Sequence, residues 1–330
     1  MKEVAVLAVD VGGTWCRALF CSNNGQILDY TQGGSGNYHS IGAKVALANL
    51  IEVLTLLTKQ QAHRVQCAVF GLAGLDTEKD RVLLQSIVQQ ALVAANIAAD
   101  HVYVDNDAMV TLKGIARQNN GVMIVAGTGS IAWGITQDGR EARVGGWGYR
   151  IGDEGSGYSI GKAAVTHILR AYDGREAPSG ICATVLKEMS FTDEEALVNW
   201  VYSSEFSIKK MAAFAPLIMK LAESGDWKAI EISVSASQQL ADMVFAVVRK
   251  LDINKQKMNL IFCGGVLQSP IIKHQLIALL ADFCSDIQVV IPDYQPIGAG
   301  ANYGLMLMGL DCDISLQQLS KQLNTITPRS

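Results

Sequence analysis

The feature that most constrains the fold is a pattern that occurs twice at a constant offset. Residues 4–30 (VAVLAVDVGGTWCRALFCSNNGQILDY) and 121–145 (GVMIVAGTGSIAWGITQDGREARVG) each contain an apolar run, a glycine-threonine turn, a second apolar run and a glycine turn. The matched residues lie 114 positions apart (127 − 13 = 114), namely Gly13 and Gly127, Thr14 and Thr128, and Gly25 and Gly139. The repeat indicates an internal duplication of a three-stranded meander, for which two unrelated meanders are the alternative.

The first turn of each meander predicts phosphate binding. These turns are Gly12-Gly13-Thr14 and Gly127-Thr128-Gly129. We expect a tight backbone that only glycine adopts without strain, so that backbone N–H groups approach a ligand closely. Concave arrays of N–H groups favour anions, above all phosphate, and two such turns would hold a polyphosphate from two sides. Asp10, at the end of the first strand, is placed to hold a hydrated divalent cation.

Composition narrows the function classes. The 330 residues predict two domains, and the apolar content of 49% with 18% charged residues is typical of a globular protein. The net charge is −4 and no basic run occurs, which argues against nucleic acid or an anionic membrane as partner. The first strand follows residue 3 directly, so we expect no signal peptide. The seven cysteines are scattered without a C-x-x-C motif, which predicts free thiols in a reducing cytoplasm.

Hydrophobic periodicity predicts strands that alternate with helices, and hence an α/β protein with mixed sheets covered by helices. The first meander is followed by helices at 41–59 and 77–96, strands at 65–72 and 101–104, and a helix from about 107 to 117. After the second meander we expect helices at 158–172, 193–203, 208–224, 227–251, 269–283, 297–308 and 313–324, and strands at 258–263 and 288–291. The predicted domains are 1–118 and 119–310, with a helix at about 311–330 packing back on the first.

Several polar residues have both a structural and a functional interpretation. Asp107 follows a strand and begins a helix, so it is either a helix N-cap or a general base at the carboxyl end of a strand. Asp105 is interpreted as structural. Asp153 precedes a helix and could simply favour its N-terminus. Asn37 and His39 lie on a glycine-rich loop and could be turn residues. Trp147 stands among glycines, where an indole can form a wall for a sugar ring.

Three motifs occur in an order that resembles the actin/hexokinase/Hsp70 superfamily: DVGGT at 10–14, AGTGS at 126–130 and FCGGV at 262–266. They are similar to its phosphate-1, phosphate-2 and adenosine motifs. More narrowly, SGNYHSIG, VDNDA and GGWGYRIGDEGS resemble the BadF/BadG/BcrA/BcrD ATPase family, and within it the N-acetylglucosamine kinases. The resemblance implies two RNase H-like (actin/hexokinase-type) domains with a central cleft.

The resemblance also implies roles for individual residues. Asp10 would hold Mg²⁺ through water, and Asp107 would deprotonate the 6-hydroxyl of an amino sugar. ATP would be bound by Gly12, Gly13, Thr14, Gly127, Thr128, Gly129, Gly264 and Gly265. The sugar would be bound by Asn37, Asn106, Asp107, Thr128, Gly146, Trp147, Gly148 and Asp153. Asn106 departs from the threonine that animal members carry at this position.

Two functions are carried forward from the resemblance. The first is an ATP- and Mg²⁺-dependent kinase acting on N-acetylglucosamine, with glucosamine and N-acetylmuramic acid as other acceptors; we expect a cytoplasmic homodimer. The second is the ATPase branch of the family, which activates CoA-ester dehydratases or reductases and shares an iron–sulfur cluster across a dimer. The kinase is favoured because no cysteine lies between Cys67 and Cys182, where the cluster ligands would be expected near the nucleotide motifs.

Overall fold

The computed structural model describes residues 2–116, 119–281, 283, 286–290, 295–310 and 316–326. The chain divides into two compact units: unit 1 comprises Met1–Gln118 with Pro292–Ser330, and unit 2 comprises Asn119–Ile291. Within the described ranges, no helix combines the length and the apolar character that crossing a membrane requires. Cys284 and Cys312 lie outside the described residues, and the described cysteines are free thiols.

Strands and helices alternate along the chain. Up to residue 116 the elements are β1 (Lys2–Val11), β2 (Cys16–Cys21), β3 (Ile27–Gly33), α1 (Tyr38–Ile41), α2 (Ala43–Thr58), β4 (His63–Leu72), α3 (Glu78–Ala94), β5 (Ile97–Asp105) and α4 (Asp107–Ala116). The remaining elements are β6 (Asn120–Ala126), β7 (Ser130–Ile135), β8 (Glu141–Gly145), α5 (Gly157–Tyr172), α6 (Gly180–Glu188), α7 (Glu194–Val201), α8 (Ile208–Ala212), α9 (Ala215–Glu223), α10 (Trp227–Leu251), β9 (Met258–Cys263), α11 (Pro270–Ala281), β10 (Ile287–Val290), α12 (Pro296–Leu307) and α13 (Leu316–Ile326).

Each unit contains one five-stranded sheet, and the two sheets have the same topology. The strand order is β3-β2-β1-β4-β5 in unit 1 and, read from the other edge, β8-β7-β6-β9-β10 in unit 2. In both sheets the meander is antiparallel and the two following strands add in parallel. The duplication seen in the turns therefore extends to the whole sheet.

The central strand of unit 1 is buried on both faces, which explains its continuous apolar sequence. Leu7 and Val9 belong to the core beneath α2 and α3, whereas Val6 and Ala8 pack with α12 and α13 on the other face. Close packing of α12 depends on small residues, since a Cβ atom on Gly304 would lie 2.6 Å from a methyl group of Val6. This contact places α12 in unit 1.

Among the elements that differ from the sequence-based prediction are three in the second half of the chain. The division of the chain assigns α12 to unit 1, whereas the sequence assigned residues up to 310 to the second domain. The helix predicted at 208–224 is two helices, because Pro216 occupies the first turn of a new one. Helix α6 was not predicted.

Helix α13 packs on unit 1, where Gln322 accepts a hydrogen bond from the Ile27 N–H at 2.9 Å. Residues 311–315 and 327–330 lie outside the described residues.

Candidate functional site

The first phosphate turn leaves open space beside its glycines. The turn is closed by a hydrogen bond from the Gly12 N–H to the Trp15 carbonyl at 2.8 Å. No described atom lies within 4 Å of a Cβ atom built on Gly13. Neither Gly12 nor Gly13 has a positive φ, so the expectation that the backbone itself requires glycine was wrong. Glycine here keeps a space empty, as a ligand phosphate would need.

The same holds for the second phosphate turn, in unit 2. Gly127 and Gly129 also have negative φ values, and a Cβ atom on Gly127 would meet nothing within 4 Å among the described residues. Helix α5 contacts this turn, because the Gly157 N–H donates a hydrogen bond to the Gly127 carbonyl at 2.7 Å. Positive φ occurs instead at Gly25 and Gly139, in the second turns of the meanders.

The carboxyl ends of three strands in unit 1 bring acidic residues into one row. Asp10 on β1 is level with Gly71 on β4, and Gly71 is level with Asp105 on β5. Gly71 also packs against the start of α4, since a Cβ atom there would lie 3.1 Å from the Asp107 Cα. Asp10 and Asp107 therefore share one edge of the sheet.

The surroundings of Asp10 disfavour the ionised form of its carboxyl group. Burial, followed by the negative charge of Asp107, raises the pKa of Asp10 to about 6, and the Arg17 guanidinium opposes this shift. Arg17 donates to Asp10 Oδ2 at 3.4 Å. A cation beside Asp10 would restore its ionised form. Among the described residues no group of three or more acidic, histidine or cysteine side chains could enclose a metal. A single carboxylate suits a Mg²⁺ ion that keeps its water ligands.

Asp107 is half-buried at the first position of α4. The helix is capped by Asn106, whose side-chain oxygen accepts from the Ala108 N–H at 3.0 Å and whose carbonyl accepts from the Val110 N–H. Asp107 Oδ1 also accepts from the Ala108 N–H, at 2.9 Å. Burial raises the pKa of Asp107 above its ordinary value. A half-buried carboxylate of raised basicity suits proton abstraction.

Asp105 has a structural role, as the sequence suggested. Its carboxylate lies 2.6 Å from the Lys113 ammonium and 3.7 Å from the Arg81 guanidinium. These partners join β5 to α3 and α4. Asp105 is thus neutralised by its neighbours, in contrast to Asp107 two residues later.

The loop with Asn37 and His39 makes contacts within itself and with Asp80 on α3. Asn37 caps α1, and its amide oxygen accepts from the His39 N–H at 3.1 Å. The His39 ring lies 3.8 Å from the Asp80 carboxylate, to which the Tyr38 hydroxyl also donates a hydrogen bond. The interpretation of Asn37 as a turn residue is therefore correct for its side-chain oxygen, which is used within the loop. Its amide nitrogen has no hydrogen-bond partner in the described part of the chain and can donate to a ligand.

The segment of unit 2 that is predicted to bind the sugar has an unusual backbone conformation. Gly145, Gly146 and Gly148 have positive φ values, which glycine tolerates. Trp147 between them is 64% exposed, and the Arg143 guanidinium stacks 5.0 Å from its ring centre. Arg143 also donates to the Gly146 carbonyl at 2.9 Å. The indole is therefore presented to solvent but held in place.

Asp153 joins this segment to the second phosphate turn. It is buried, adopts φ +62°, and its Oδ1 accepts from the Ser130 N–H at 3.2 Å. A Cβ atom on Gly129 would lie 2.8 Å from its carboxylate. Burial raises the pKa of Asp153. The helix-terminal interpretation is not needed, because Ser156 is the N-cap of α5.

A pocket of about 650 Å³ adjoins the second phosphate turn within unit 2. Its lining includes the predicted residues Gly127, Thr128 and Gly265. Gly264 lies beside the second phosphate turn. Its φ is +97°, and a Cβ atom built on it would be 2.4 Å from the Ala126 carbonyl oxygen. Sequence reasoning missed the opposite wall, which α8 and α9 form with Lys209, Ala213, Pro216, Met219 and Lys220. The only signal for this wall was Pro216, which marks the start of α9.

The family model described as the BadF/BadG/BcrA/BcrD ATPase family matches residues 7–301. The chain belongs to this family. A relative named N-acetyl-D-glucosamine kinase, from Dictyostelium discoideum, is 31% identical over an alignment of 281 residues, and the match covers 81% of this chain and 87% of the relative. An N-acetylmuramic acid/N-acetylglucosamine kinase of Clostridium acetobutylicum is 29% identical over 80% of this chain and 86% of its own length.

A solved structure has a similar fold. The crystal structure of a candidate N-acetylglucosamine kinase from Chromobacterium violaceum matches with a TM-score of 0.68 and 25% identity, covering 92% of this chain and 99% of that one. This BadF-family protein therefore has the two-domain α/β fold of the actin/hexokinase-type sugar kinases, as the motifs predicted.

Proposed function

We propose that this protein is a kinase that transfers the γ-phosphoryl group of ATP to the 6-hydroxyl of an amino sugar, most directly N-acetylglucosamine. The observation that carries the proposal is the state of Asp107. Its carboxylate is half-buried, has a raised pKa and is not required to cap α4, since Asn106 does so. Named relatives that act on N-acetylglucosamine support the choice of substrate.

Phosphoryl transfer depends on positioning and charge stabilisation more than on covalent chemistry. In the proposed reaction Asp107 accepts the proton of the sugar hydroxyl as its oxygen attacks the γ-phosphorus. The open turn at Gly12-Gly13-Thr14 and the matching turn at 127–129 bind phosphate oxygens through N–H groups. The pocket lined by Gly265 and by α8 and α9 receives the adenosine, with Gly264 at its phosphate end.

The remaining assignments concern the sugar and the metal. Asn37, Asn106, Gly146, Trp147, Gly148, Thr128 and Asp153 are proposed sugar contacts. In particular, Trp147 would cover an apolar face of the ring, while the amide of Asn37 would donate to a hydroxyl. Asp10 would hold Mg²⁺ through water, and the bound ion would neutralise charge on the phosphates. We further propose a homodimer that works in the cytoplasm, where its ATP is available.

The iron–sulfur ATPase alternative is not favoured. The named relatives of this chain are sugar kinases, and no cysteine lies between Cys67 and Cys182, near the nucleotide motifs.

A coupled assay of ADP release tests the proposed function. The purified chain is incubated with Mg·ATP and, in parallel, with N-acetylglucosamine, glucosamine and N-acetylmuramic acid. We expect ADP release that depends on the sugar, strongest with N-acetylglucosamine, from a colourless protein. A brown protein with cluster absorbance after anaerobic purification and no sugar-stimulated ADP release would contradict the kinase and favour the alternative.

A further inference from the structure

The two oxygens of the Asp80 carboxylate have separate partners. Asp80 is buried in the first turn of α3. Its Oδ2 accepts hydrogen bonds from the backbone N–H and the hydroxyl of Thr77, at 2.7 and 2.8 Å. Its Oδ1 accepts a hydrogen bond from the Tyr38 hydroxyl. One side chain therefore connects the start of α3 with residues 37–39, which we call the Asn37 loop.

Capping of α3 explains only one of these oxygens. In a capping box the third helical residue accepts a hydrogen bond from the backbone N–H of the N-cap residue, for which one oxygen is enough. Thr77 is the N-cap of α3, and Asp80 Oδ2 completes the box. The hydrogen bond from Tyr38 to Oδ1 spans 42 positions of the sequence and does not belong to the cap. It is the largest cause that lowers the pKa of Asp80 to about 2, whereas burial opposes this shift.

The aromatic rings of the Asn37 loop pack on two neighbours. The His39 ring stacks on the Tyr38 ring with 4.0 Å between the ring centres, and its Nε2 lies 3.8 Å from the Asp80 carboxylate. The loop also packs closely on Gly74, where a Cβ atom would lie 2.8 Å from the His39 ring and 3.2 Å from the side-chain oxygen of Asn37. The position of the Asn37 side chain therefore depends on how these rings are seated.

The same carboxylate relates the Asn37 loop to the helix of the proposed base. Asp80 Oδ2 accepts from the Asp76 N–H at 3.2 Å. The carbonyl of the preceding residue, Leu75, lies 3.5 Å from the side-chain nitrogen of Asn106, which caps α4. Asp80 thus contacts both the Asn37 loop and the segment that adjoins the cap of α4.

We propose that Asp80 is a positioning residue for the sugar, which holds the Asn37 loop so that the amide nitrogen of Asn37 is directed at a sugar hydroxyl. It acts through the Tyr38 hydroxyl and the seating of the His39 ring, and it does not touch the sugar itself. The side-chain oxygen of Asn37 is already used by the His39 N–H, so the loop backbone sets the orientation of the amide. This inference rests on the proposed kinase function, in which Asn37 is a sugar contact.

Tyr38→Phe tests the inference, because it removes the hydrogen bond at Asp80 Oδ1 and leaves the capping oxygen intact. Asp80→Ala would remove the cap of α3 as well. In the ADP-release assay we expect the KM for N-acetylglucosamine to rise about 3- to 10-fold, the scale of one hydrogen bond. The KM for ATP and kcat should stay close to their wild-type values, since a change in sugar binding alone raises KM without lowering kcat.

Thr77→Val is the matched control, because it removes the hydroxyl that donates to the other oxygen of the same carboxylate. It should lower the melting temperature, since the N-cap of α3 is lost, and leave the KM for N-acetylglucosamine unchanged. An equal rise of this KM in the two variants, or an unchanged KM in Tyr38→Phe, would overturn the inference.

A double-mutant cycle shows whether the effect depends on Asn37. Asn37→Ser keeps a side chain that can cap α1 but lacks the amide nitrogen. Alone it should raise the KM for N-acetylglucosamine, and adding Tyr38→Phe should raise it no further, because both changes remove the same contact. Effects that multiply, or a wild-type KM in Asn37→Ser, would contradict the inference. A wild-type chain whose ADP release responds to none of the sugars would instead contradict the proposed function.

Discussion

The side-chain oxygen of Asn106 accepts a hydrogen bond from the Ala108 N–H at 3.0 Å, and this contact makes Asn106 the N-cap of α4. From the sequence alone, Asp107 could have been the cap or a general base. Since Asn106 fills the capping position, stability of α4 does not require the negative charge of Asp107. The two interpretations can now be separated by measuring rate and stability together.

We expect Asp107→Asn to lower kcat by about 10²-fold or more, which is the scale of general-base catalysis. The Kd for ATP should remain near the wild-type value, because the residue is assigned to the sugar hydroxyl. Thermal stability should be unchanged or higher, since a half-buried carboxylate with a raised pKa is replaced by a neutral amide. Steady-state kinetics, calorimetry and thermal unfolding check the three parts.

Asp105→Asn is the control for this prediction. Its carboxylate neutralises Lys113, which is largely buried, so the variant should lose stability and keep most of its turnover. If Asp107→Asn retains most of its turnover at saturating sugar and ATP, Asp107 is not the base. Asp153 is then the next residue to replace.

The raised pKa of Asp10 predicts a pH-dependent stability. A carboxyl group with a pKa of about 6 in the folded protein and an ordinary pKa of 3.8 favours folding when it is protonated. Its contribution is present in full below about pH 4 and is lost as the pH rises through 6. Asp10→Asn should therefore stabilise the free protein at pH 8, by an amount on the order of 3 kcal/mol at most, and have little effect at pH 4.

Urea unfolding at both pH values measures this difference. The same variant should lose Mg²⁺-dependent activity, because it can no longer hold the hydrated ion. A stabilisation that is equal at pH 4 and pH 8 would show that the charge of Asp10 is not the cause.

The glycines of the two turns in the first meander should respond in opposite ways to substitution. Gly13→Val should abolish ATP binding and leave the melting temperature unchanged, because its side chain would enter space that no described atom occupies. Gly25→Val should leave the ATP site intact but lower stability by about 1–2 kcal/mol, because Gly25 has φ +74°. Calorimetry with ATP and thermal unfolding distinguish the two. Unchanged nucleotide affinity in Gly13→Val would mean that this turn is structural only.

Periodicity and the repeat were sufficient to predict most of the fold. The strands at 4–9 and 122–125 and the helix at 227–251 were recognised because their burial follows directly from local apolar patterns. The packing of α12 on unit 1 was not predictable, because it depends on Gly304 fitting against Val6 on a strand almost 300 residues earlier. Such long-range contacts leave no local pattern.

The sequence singles out candidate site residues where a function would require a particular residue type, as at Asp10, Asp107 and the glycine turns, and their roles stay predictions. The reason for glycine at the phosphate turns was not predictable, because a sequence does not show whether glycine is needed for a positive φ or for the space beside it. The capping role of Asn106 and the pocket wall of α8 and α9 also needed coordinates. Both depend on how residues of ordinary helical sequence are placed against a turn.

Trp147 tests the sugar assignment in unit 2. It is 64% exposed, so Trp147→Ala should not reduce stability, whereas the KM for the sugar should rise about 3- to 10-fold and the KM for ATP should stay constant. Arg143→Met should raise the sugar KM in the same direction but less, because the guanidinium that stacks on the indole and binds the Gly146 carbonyl is lost. Tyr202→Ala, at an aromatic residue that is 87% exposed after α7, is the control and should change neither constant. Equal sugar KM values for Trp147→Ala and the wild type would remove the indole from the sugar site and leave Arg143 with a purely structural role.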